Sequence, residues 1–304
     1  MYFTSLPDHR EPGFDEQRHF SKFKKHNIIF KATAGKSYCE RHVGCLSVKT
    51  VLNGKEWYGI RNQQLAIIPG QFLILNDDQE YACKVDGAED AKILSVFFRK
   101  EFASSVLRDA ASKEETLLDN PHDHGEKSPE FFQTLMDLDS TLKQKLSNLI
   151  ADLDEYGYQH DVVDEHLVFL LHDLMRLHKV EIYRSNRVIS VTLRTRREIY
   201  KRLCIAKDFM HSAFMDKIDL ALISSTACLS APQLIRQFKA AFQTTPHQYL
   251  TRLRLSQAAK LLKGSDKTVH EITHLCGFED ASAFCRAFKA EYGIRPVNFR
   301  NTDR

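Results

Sequence analysis

The sequence lacks the features that mark membrane, secreted or disordered proteins. It contains no run of the roughly 18 to 20 apolar residues that a membrane helix needs. Residues 1–10 are mostly polar or charged where a signal peptide requires an apolar stretch. Glycine and proline are scarce, with 12 and 8 among 304 residues, and 43% of the residues are hydrophobic, which excludes global disorder. These absences predict a cytoplasmic globular protein of about two domains, without membrane contact.

The seven cysteines form no disulfide framework that the sequence can identify, because their number is odd and the predicted compartment is reducing. Cys39, His42 and Cys45 have a spacing that a metal tolerates, but a structural zinc site needs four ligands and no partnering pair follows. The cluster is therefore either structural, which we favour, or a metal or redox sensor. No metal and no cofactor are predicted.

Positive charge is scarce over the chain as a whole but concentrated at its end. The net charge is only +3, yet residues 195–304 contain 18 Lys+Arg against 10 Asp+Glu, a surplus of +8. The preceding residues therefore carry −5. A basic C-terminal segment behind an acidic body suggests a module that binds a polyanion, joined to a domain that does not.

The first half of the chain has the pattern of short β-strands. Residues 1 to about 40 are polar and predict an irregular arm. From Val43 to Phe98, alternating apolar segments are separated by turn signals such as Asn53-Gly54 and Pro69-Gly70. Several strands at this spacing indicate a small sandwich or barrel.

The middle of the chain is helical. After Arg99, leucines recur at intervals of three and four residues, first from Leu142 to Leu153 and then from Leu167 to Leu177. These stripes either pack on the barrel or form a dimer seam, and each covers too few turns to distinguish the two. Residues 186–194 then predict a linker.

The C-terminal segment contains an internal repeat. Leu234-Ile235-Arg236-Gln237-Phe238-Lys239, with Pro246 and Tyr249 after it, is matched 50 residues later by Phe284-Cys285-Arg286-Ala287-Phe288-Lys289, Pro296 and Phe299. Each copy predicts a helix, a tight turn and a second helix, with capping residues at Asp219 and Ser230 and at Thr268 and Asp280. Residues 248–263 predict a long connecting helix that ends at Gly264.

The second helix of each copy has the two faces of a DNA recognition helix. Leu234 and Phe238, like their counterparts in the second copy, are four residues apart and predict a buried back. Arg236 and Arg286 lie between these positions and predict an exposed front, although either arginine could instead form a structural salt bridge.

Residues about 195 to 300 resemble the AraC/XylS family of transcription regulators. The residues that carry the resemblance are the two copies, the Arg252-Leu253-Arg254-Leu255 segment with Ala258, Leu261 and Leu262, and the ending from Gly277-Phe278-Glu279-Asp280 to Phe299-Arg300. The resemblance implies two DNA-reading helices in one chain. By position, the residues that it places against DNA are Ala231, Pro232, Gln233, Arg236, Ala281, Ser282, Cys285 and Arg286.

The sequence departs from the family pattern at three positions. Cys228 and Gln243 stand where glycine is usual, which leaves the turn geometry of the first copy open. Thr273 stands where a small alanine is common and leaves less room between the helices of the second copy. Because Pro232, Ala281 and Ser282 offer few hydrogen bonds, base readout is expected to depend on Gln233 and the two arginines.

The N-terminal strands resemble the cupin-like sensor barrel that many members of this family carry. The His-x-His, carboxylate and further His of a metal-dependent cupin enzyme are absent from the sequence, since His42 stands alone. Such a barrel can still hold a small molecule. The candidate lining residues, which are more often simply core, are His42, Trp57, Tyr58, Phe72 and Tyr81.

The predicted fold is α+β: a cupin-like β-barrel with following helices, then an all-α domain with two helix-turn-helix units joined by a long helix. The predicted domains are residues 1–185, a linker at 186–194, and residues 195–304. The predicted function is a sequence-specific transcription regulator and not an enzyme. Its expected partners are double-stranded DNA, a second copy of the chain, a small-molecule effector, and RNA polymerase if the regulator is an activator. The alternatives are a DNA-binding protein with an enzymatic or redox-sensing N-terminal domain, and an architectural protein indifferent to sequence.

Overall fold

The computed structural model describes residues 1–7, 13–60, 63–87, 90–111 and 130–301. The chain divides into two compact units, Met1–Ile182 and Tyr183–Arg304. The first contains strands and helices and the second is all helical, so the predicted α+β class is confirmed. No helix within the described ranges is long and apolar enough to cross a membrane.

The described strands of the first unit form two sheets. The strands are β1 (Tyr2–Phe3), β2 (Ile28–Ala34), β3 (Ser37–Gly44), β4 (Ser47–Asn53), β5 (Glu56–Ile60), β6 (Gln63–Ile67), β7 (Gln71–Leu75), β8 (Gln79–Val85), β9 (Ala91–Phe97) and β10 (Met136–Asp137). One sheet has the order β1-β2-β9-β4-β7-β10 and the other the order β3-β8-β5-β6. Apart from the parallel pair β1 and β2, neighbouring strands are antiparallel. The predicted sandwich is therefore present.

The prediction of an irregular arm over residues 1 to about 40 is wrong. This region contains helix α1 (Glu16–Lys25) and strands β2 and β3. Strand β2 pairs with β9 along its whole length, from Ile28 opposite Phe97 to Ala34 opposite Ala91. The polar composition of the region hid the strands, because only the short Ile28-Ile29-Phe30 run is strongly apolar. The long-range pairing with β9 makes it a strand.

Of the described helices, three cover the six-stranded sheet: α2 (Lys100–Ala111), α3 (Ser140–Tyr156) and the first part of α4 (His160–Asn186). Their leucines join one buried cluster with Val48, Phe72 and Val96 of the sheet. Leu142, Leu146, Leu167 and Leu171 are among them and are nearly inaccessible to solvent. The leucine stripes therefore pack on the sheet, the first of the two predicted alternatives.

The second unit consists of α5 (Leu193–Ala213), α6 (Leu220–Thr226), α7 (Ala231–Phe242), α8 (Pro246–Gly264), α9 (Val269–Leu275), α10 (Ala281–Tyr292) and α11 (Pro296–Arg300). The loop between α4 and α5 is held to this unit, because Gln237 accepts from the Ile189 amide and donates to its carbonyl. Ile189, which lies in the predicted linker 186–194, thus contacts Gln237 of α7.

Candidate nucleic-acid interface

The two helix-turn-helix copies have matching hydrogen bonds in their turns. In the first copy, the amides of Cys228 and Leu229 donate to the carbonyls of Ser225 and Ser224. In the second copy, the amides of Gly277 and Phe278 donate to His274 and Thr273, which are the equivalent positions 49 residues later. The repeat seen in the sequence is therefore a structural repeat.

All four predicted N-caps are present. Asp219 accepts from the Leu222 amide at 2.8 Å, and Asp280 accepts from the amides of Ser282 and Ala283 at 3.0 and 2.8 Å. Ser230 and Thr268 each form a reciprocal capping box with the residue three positions later. Because these bonds satisfy amides that the first turn leaves without partners, each helix begins at a defined residue.

The turn geometry that was left open in the first copy is the same as in the second. Cys228 has φ 51° and Gln243 has φ 58°, and their glycine counterparts Gly277 and Gly293 have φ 75° and 78°. A residue with a Cβ is destabilised by roughly 1 to 2 kcal/mol in this left-handed region. The Gln243 side chain partly offsets that cost, since its amide donates to the carbonyls of Lys239 and Ala240 at 3.2 and 2.8 Å.

The third departure, Thr273, is accommodated without an unsatisfied polar group. The side chain is fully buried between helices, and its hydroxyl donates to the Val269 carbonyl one turn earlier at 2.8 Å. The hydroxyl therefore keeps a hydrogen bond in an apolar setting.

Aromatic rings fix α7 and α10 to their neighbours in the same way. The rings of Phe238 and Tyr249 lie 5.5 Å apart at 73°, and those of Phe288 and Phe299, each 50 residues later, lie 5.3 Å apart at 80°. Edge-to-face pairs of this kind add to the free energy of burial. Together with the buried Leu234 and Phe284 they form the predicted apolar backs.

The opposite faces of α7 and α10 carry the predicted DNA-reading residues. Pro232, Gln233, Arg236, Ser282 and Arg286 are exposed, and Ala231, Ala281 and Cys285 are half-buried beside them. Within the described residues, neither Arg236 nor Arg286 makes an ion pair or a hydrogen bond, so the salt-bridge alternative has no support for either residue.

Gln233 has a structural task that sequence reasoning missed. Its side-chain oxygen faces the amide and hydroxyl of Ser230 at 3.3 and 3.2 Å, within the capping box. Only the amide nitrogen of the side chain is left to donate to a base. The signal for this role, a serine three residues before a glutamine, is in the sequence.

Helix α8 connects the two copies. Its 19 residues span about 28 Å, since an α-helix rises about 1.5 Å per residue. Tyr249, in its first turn, packs against Phe238 of the first copy. Leu255, Ala258 and Leu262 belong to the core of the second copy. One helix therefore takes part in both cores.

Arg254 on α8 connects the loop after α5 to the turn of the second copy. Its Nε and Nη2 donate to the carbonyls of Phe214 and Asp216, each at 2.8 Å. Gly277 lies so close that a Cβ there would be 2.5 Å from the Phe214 oxygen and 3.0 Å from the Arg254 guanidinium. Burial of the guanidinium lowers the pKa of Arg254 from its ordinary value. We refer to Arg254, Gly277 and the Phe214 and Asp216 carbonyls as the Arg254 clamp.

Arg202 on α5 has a comparable position in the first copy. Its Nη1 donates to the Cys228 carbonyl at 2.9 Å, within the turn that precedes α7. Sequence reasoning missed the contacts of both arginines, since a cation that binds a distant carbonyl leaves no periodic signal. In the sequence, the Arg252-Leu253-Arg254 segment indicates the family pattern and no contact.

The N-terminal sandwich contains a second candidate site, a cavity between its sheets. Of the predicted lining residues, His42, Tyr58 and Tyr81 line the cavity. Phe72 lies in the core beneath the helices, and Trp57 is outside the cavity lining. Sequence reasoning missed two charged lining residues, Lys49 and Glu56. Alternation along β4 predicts one buried face only, whereas this strand has helices on one side and the second sheet on the other.

The Cys39, His42 and Cys45 cluster is only partly assembled. The Cys39 sulfur lies 3.5 Å from His42 Nδ1, whereas Cys45 packs at the edge of a separate cluster around Ile28, Phe30 and Phe97. Among the described residues, no group of three or more His, Cys, Asp or Glu side chains could hold a metal ion. Burial raises the pKa of the Cys45 thiol to about 12, so this thiol is protonated and unreactive at neutral pH.

Residues 223–302 match the family model described as a helix-turn-helix domain. The probable transcriptional regulator LumQ of Photobacterium leiognathi is 33% identical over 98 residues, which are 32% of this chain and 40% of that protein. The transcriptional activator RhaS of Escherichia coli is 33% identical over 99 residues, 33% of this chain and 36% of that protein. A solved AraC-type regulator of Chromobacterium violaceum is 28% identical, with a TM-score of 0.32, over 33% of this chain and 89% of its own. The chain thus spans well under half of the length of these curated relatives, and the family match lies within its C-terminal unit.

Proposed function

We propose that this chain, whose C-terminal unit carries a helix-turn-helix domain of the AraC/XylS type, is a sequence-specific transcription regulator. The resemblance predicted from the sequence is confirmed in that unit by the match over residues 223–302 and by the regulators aligned with it. The proposal for the whole chain is that it reads two successive major grooves and acts in the cytoplasm, where its DNA target lies.

The observation that carries the proposal is the repeated recognition face. Arg236 and Arg286 project from equivalent positions of α7 and α10, while Phe238 and Phe288 hold the backs of the same helices fully buried. Arginine is suited to this task because its two donors match the O6 and N7 acceptors of guanine in the major groove. Major-groove faces recur about every 34 Å along one side of the duplex, a distance comparable to the length of α8.

The test is binding of the full chain to DNA from its own upstream region and to scrambled DNA of equal length, at about 150 mM salt. A specific regulator should prefer the native sequence about a thousandfold or more. Arg236→Ala and Arg286→Ala should each weaken specific binding by about 1 to 3 kcal/mol and leave scrambled binding nearly unchanged.

The matched controls are Lys239→Ala and Lys289→Ala, which remove a charge from an exposed position in the last turn of the same two helices. These variants should weaken binding to both DNAs by a similar factor, because a phosphate contact carries no sequence information. Equal affinity of the wild type for native and scrambled DNA would favour an architectural binder and reject the proposal.

We also propose that the chain acts as a homodimer, through the exposed side of α4. Val162, Phe169 and Val180 are 38%, 49% and 40% exposed and, at spacings of 7 and 11 residues, share one side of the helix. A second copy of the same face would bury them. Phe169→Glu should lower the dimer fraction at least tenfold in sedimentation equilibrium, whereas Tyr156→Glu, at another exposed aromatic residue, should not.

An effector in the N-terminal cavity is the remaining part of the proposal. Such a ligand would act by binding one arrangement of the chain more tightly than another, which shifts the population that is competent to bind DNA. For a regulator that activates, RNA polymerase would be the further partner. We propose no catalytic role for this chain, and the protonated Cys45 thiol offers no support for the alternative of an enzymatic or redox-sensing N-terminal domain.

A further inference from the structure

The cavity of the N-terminal sandwich has a volume of about 60 Å³. Its walls come from both sheets, and residues of α1 and of the segment before it contribute to one side, among them Phe20 and Leu6. A single buried water requires about 10 to 15 Å³ of the same kind of volume, and a cavity that binds benzene has about 150 Å³. At the volume per water the space holds about four to six non-hydrogen atoms, and at the volume per benzene atom about two to three, so the ligand is small.

Lys49 places a positive charge in this cavity. The residue is only 2% exposed, and its ammonium lies over the ring of Phe97, 3.2 Å from the centroid, and 5.5 Å from that of Tyr81. Among the described residues, it makes no ion pair with a carboxylate. Burial lowers the pKa of Lys49 to about 8, with Cys83 and Glu56 acting in the opposite direction. The group thus stays largely protonated at neutral pH.

Glu56 places an acceptor in the same cavity. The residue is 4% exposed, and its Oε2 is buried with no hydrogen-bond partner in the described structure. The charge of Lys49 and a hydrogen bond from the Tyr58 hydroxyl both lower the pKa of the carboxyl group. Burial acts more strongly and raises the pKa of Glu56 to about 7.

Lys49 and Glu56 attract each other, and Tyr58 donates to Glu56, but the two charged groups form no ion pair among the described residues, and buried charges without an ion pair are costly in a protein core. Replacing both by apolar residues of similar volume is often neutral or stabilising, so their retention is not explained by stability. The rings of Phe97 and Tyr81 compensate the ammonium only in part. The three ammonium hydrogens and the Oε2 atom therefore offer a donor and an acceptor to a molecule in the cavity.

We propose that this cavity binds a small carboxylic acid with a hydroxyl or amino group on the carbon next to its carboxylate. The carboxylate accepts from the Lys49 ammonium, the hydroxyl or amino group donates to Glu56 Oε2, and the short carbon body lies against Phe97. The ligand site gives the chemical class of the effector in the proposed function. Only the effect of the ligand on DNA binding rests on the proposed function.

The experiment is isothermal titration of the full chain with four probes: L-lactate, L-alanine, propionate and 1,2-propanediol. Propionate lacks the donor next to the carboxylate, and the diol lacks the carboxylate. L-lactate or L-alanine should bind at least tenfold more tightly than propionate and than the diol. The proposal is overturned if propionate or the diol binds as tightly as L-lactate and L-alanine. It is also overturned if neither L-lactate nor L-alanine binds at 10 mM.

Variants assign the binding to the two residues. Lys49→Met should abolish binding of the acids, and Glu56→Gln should reduce the preference over propionate at least fivefold. Lys92→Met, at an exposed lysine of the neighbouring strand β9, is the matched control and should bind like the wild type. Trp57 is the only tryptophan and lies next to Glu56 on β5, so an unchanged emission spectrum verifies that each variant is folded. Unaltered binding in both variants would reject the site.

The two proposals fail separately. Operator binding measured with and without L-lactate or L-alanine reports on the regulatory function. If the chain binds the acid but not specific DNA, the ligand site is supported and the proposed function is rejected. If the chain binds specific DNA but none of the probes, the proposed function is supported and the ligand site is rejected.

Discussion

Gly277→Ala should destabilise the second helix-turn-helix copy far more than Gly293→Ala. Both glycines have nearly equal positive φ, 75° and 78°, so a Cβ costs each about 1 to 2 kcal/mol in backbone conformation. At Gly293 no atom lies within 4 Å of the new Cβ, and no further cost arises. Alanine also restricts the conformations of the unfolded chain, which stabilises both variants by about 0.4 to 1 kcal/mol. The net cost for Gly293→Ala is thus about 1 kcal/mol or less.

At Gly277 the new Cβ would be 2.5 Å from the Phe214 carbonyl oxygen, which is a backbone atom that cannot rotate away. Relief of this contact moves the carbonyl that accepts from Arg254 Nε at 2.8 Å. A hydrogen bond from a charged donor contributes about 1.5 to 3 kcal/mol. Adding this loss to the net backbone cost of about 1 kcal/mol or less gives about 2 to 4 kcal/mol for Gly277→Ala.

The assay is hydrogen exchange of the full chain, followed in peptides that cover α9 and α10. Protection there should fall by about 2 to 4 kcal/mol in Gly277→Ala and by about 1 kcal/mol or less in Gly293→Ala, in proportion to the costs above. Trp57 fluorescence during urea unfolding reports on the N-terminal unit and should not change. Equal loss of protection in the two variants would refute the role that we assign to the Arg254 clamp.

Three further predictions concern the core, the turn and the cavity. Phe288→Ala should destabilise the C-terminal unit by about 3 to 5 kcal/mol in urea unfolding, because its ring is fully buried, whereas Val297→Ala, 58% exposed, should change little. Cys228→Gly should stabilise the first copy by about 1 kcal/mol or less in hydrogen exchange, since glycine relieves the strain at φ 51° but also frees the unfolded chain, and destabilisation would contradict the strain argument. The pKa of Glu56 rises from 4.5 to about 7 on folding. The contribution of Glu56 to the free energy of unfolding is therefore fully present below pH 4.5 and lost as pH rises through 7. Glu56→Gln should therefore flatten the stability profile between pH 4.5 and 8 by about 3 kcal/mol, and an unchanged slope would show that Glu56 does not titrate there.

The C-terminal unit was predictable because its information is local. The caps at Asp219, Ser230, Thr268 and Asp280 and the alternation of apolar and polar helix faces depend on residues three or four positions apart. Such spacings are direct consequences of the helical repeat and remain visible in any sequence that uses it. The two recognition faces follow from the same spacing.

Local patterns were insufficient where one strand serves two cores. Strand β4 alternates as though one face were exposed, yet helices cover one side and the second sheet covers the other. The alternation along this strand does not indicate that Lys49 is buried. The buried position of its ammonium depends on β8 and β9, whose residues are more than 30 positions away. The predicted irregular arm failed for the same reason, since β2 is a strand through its pairing with β9.

The sequence by itself determined the helix-turn-helix repeat, the residues exposed on its recognition faces and the α+β class, because periodicity and capping act over a single helical turn. Only the tertiary structure decided that the leucine stripes pack on the sheet, that Arg254 joins two distant segments, and that Lys49 and Glu56 meet in one cavity. Those features arise from long-range packing, in which contacts between residues far apart in the chain place a group inside or outside irrespective of its local pattern.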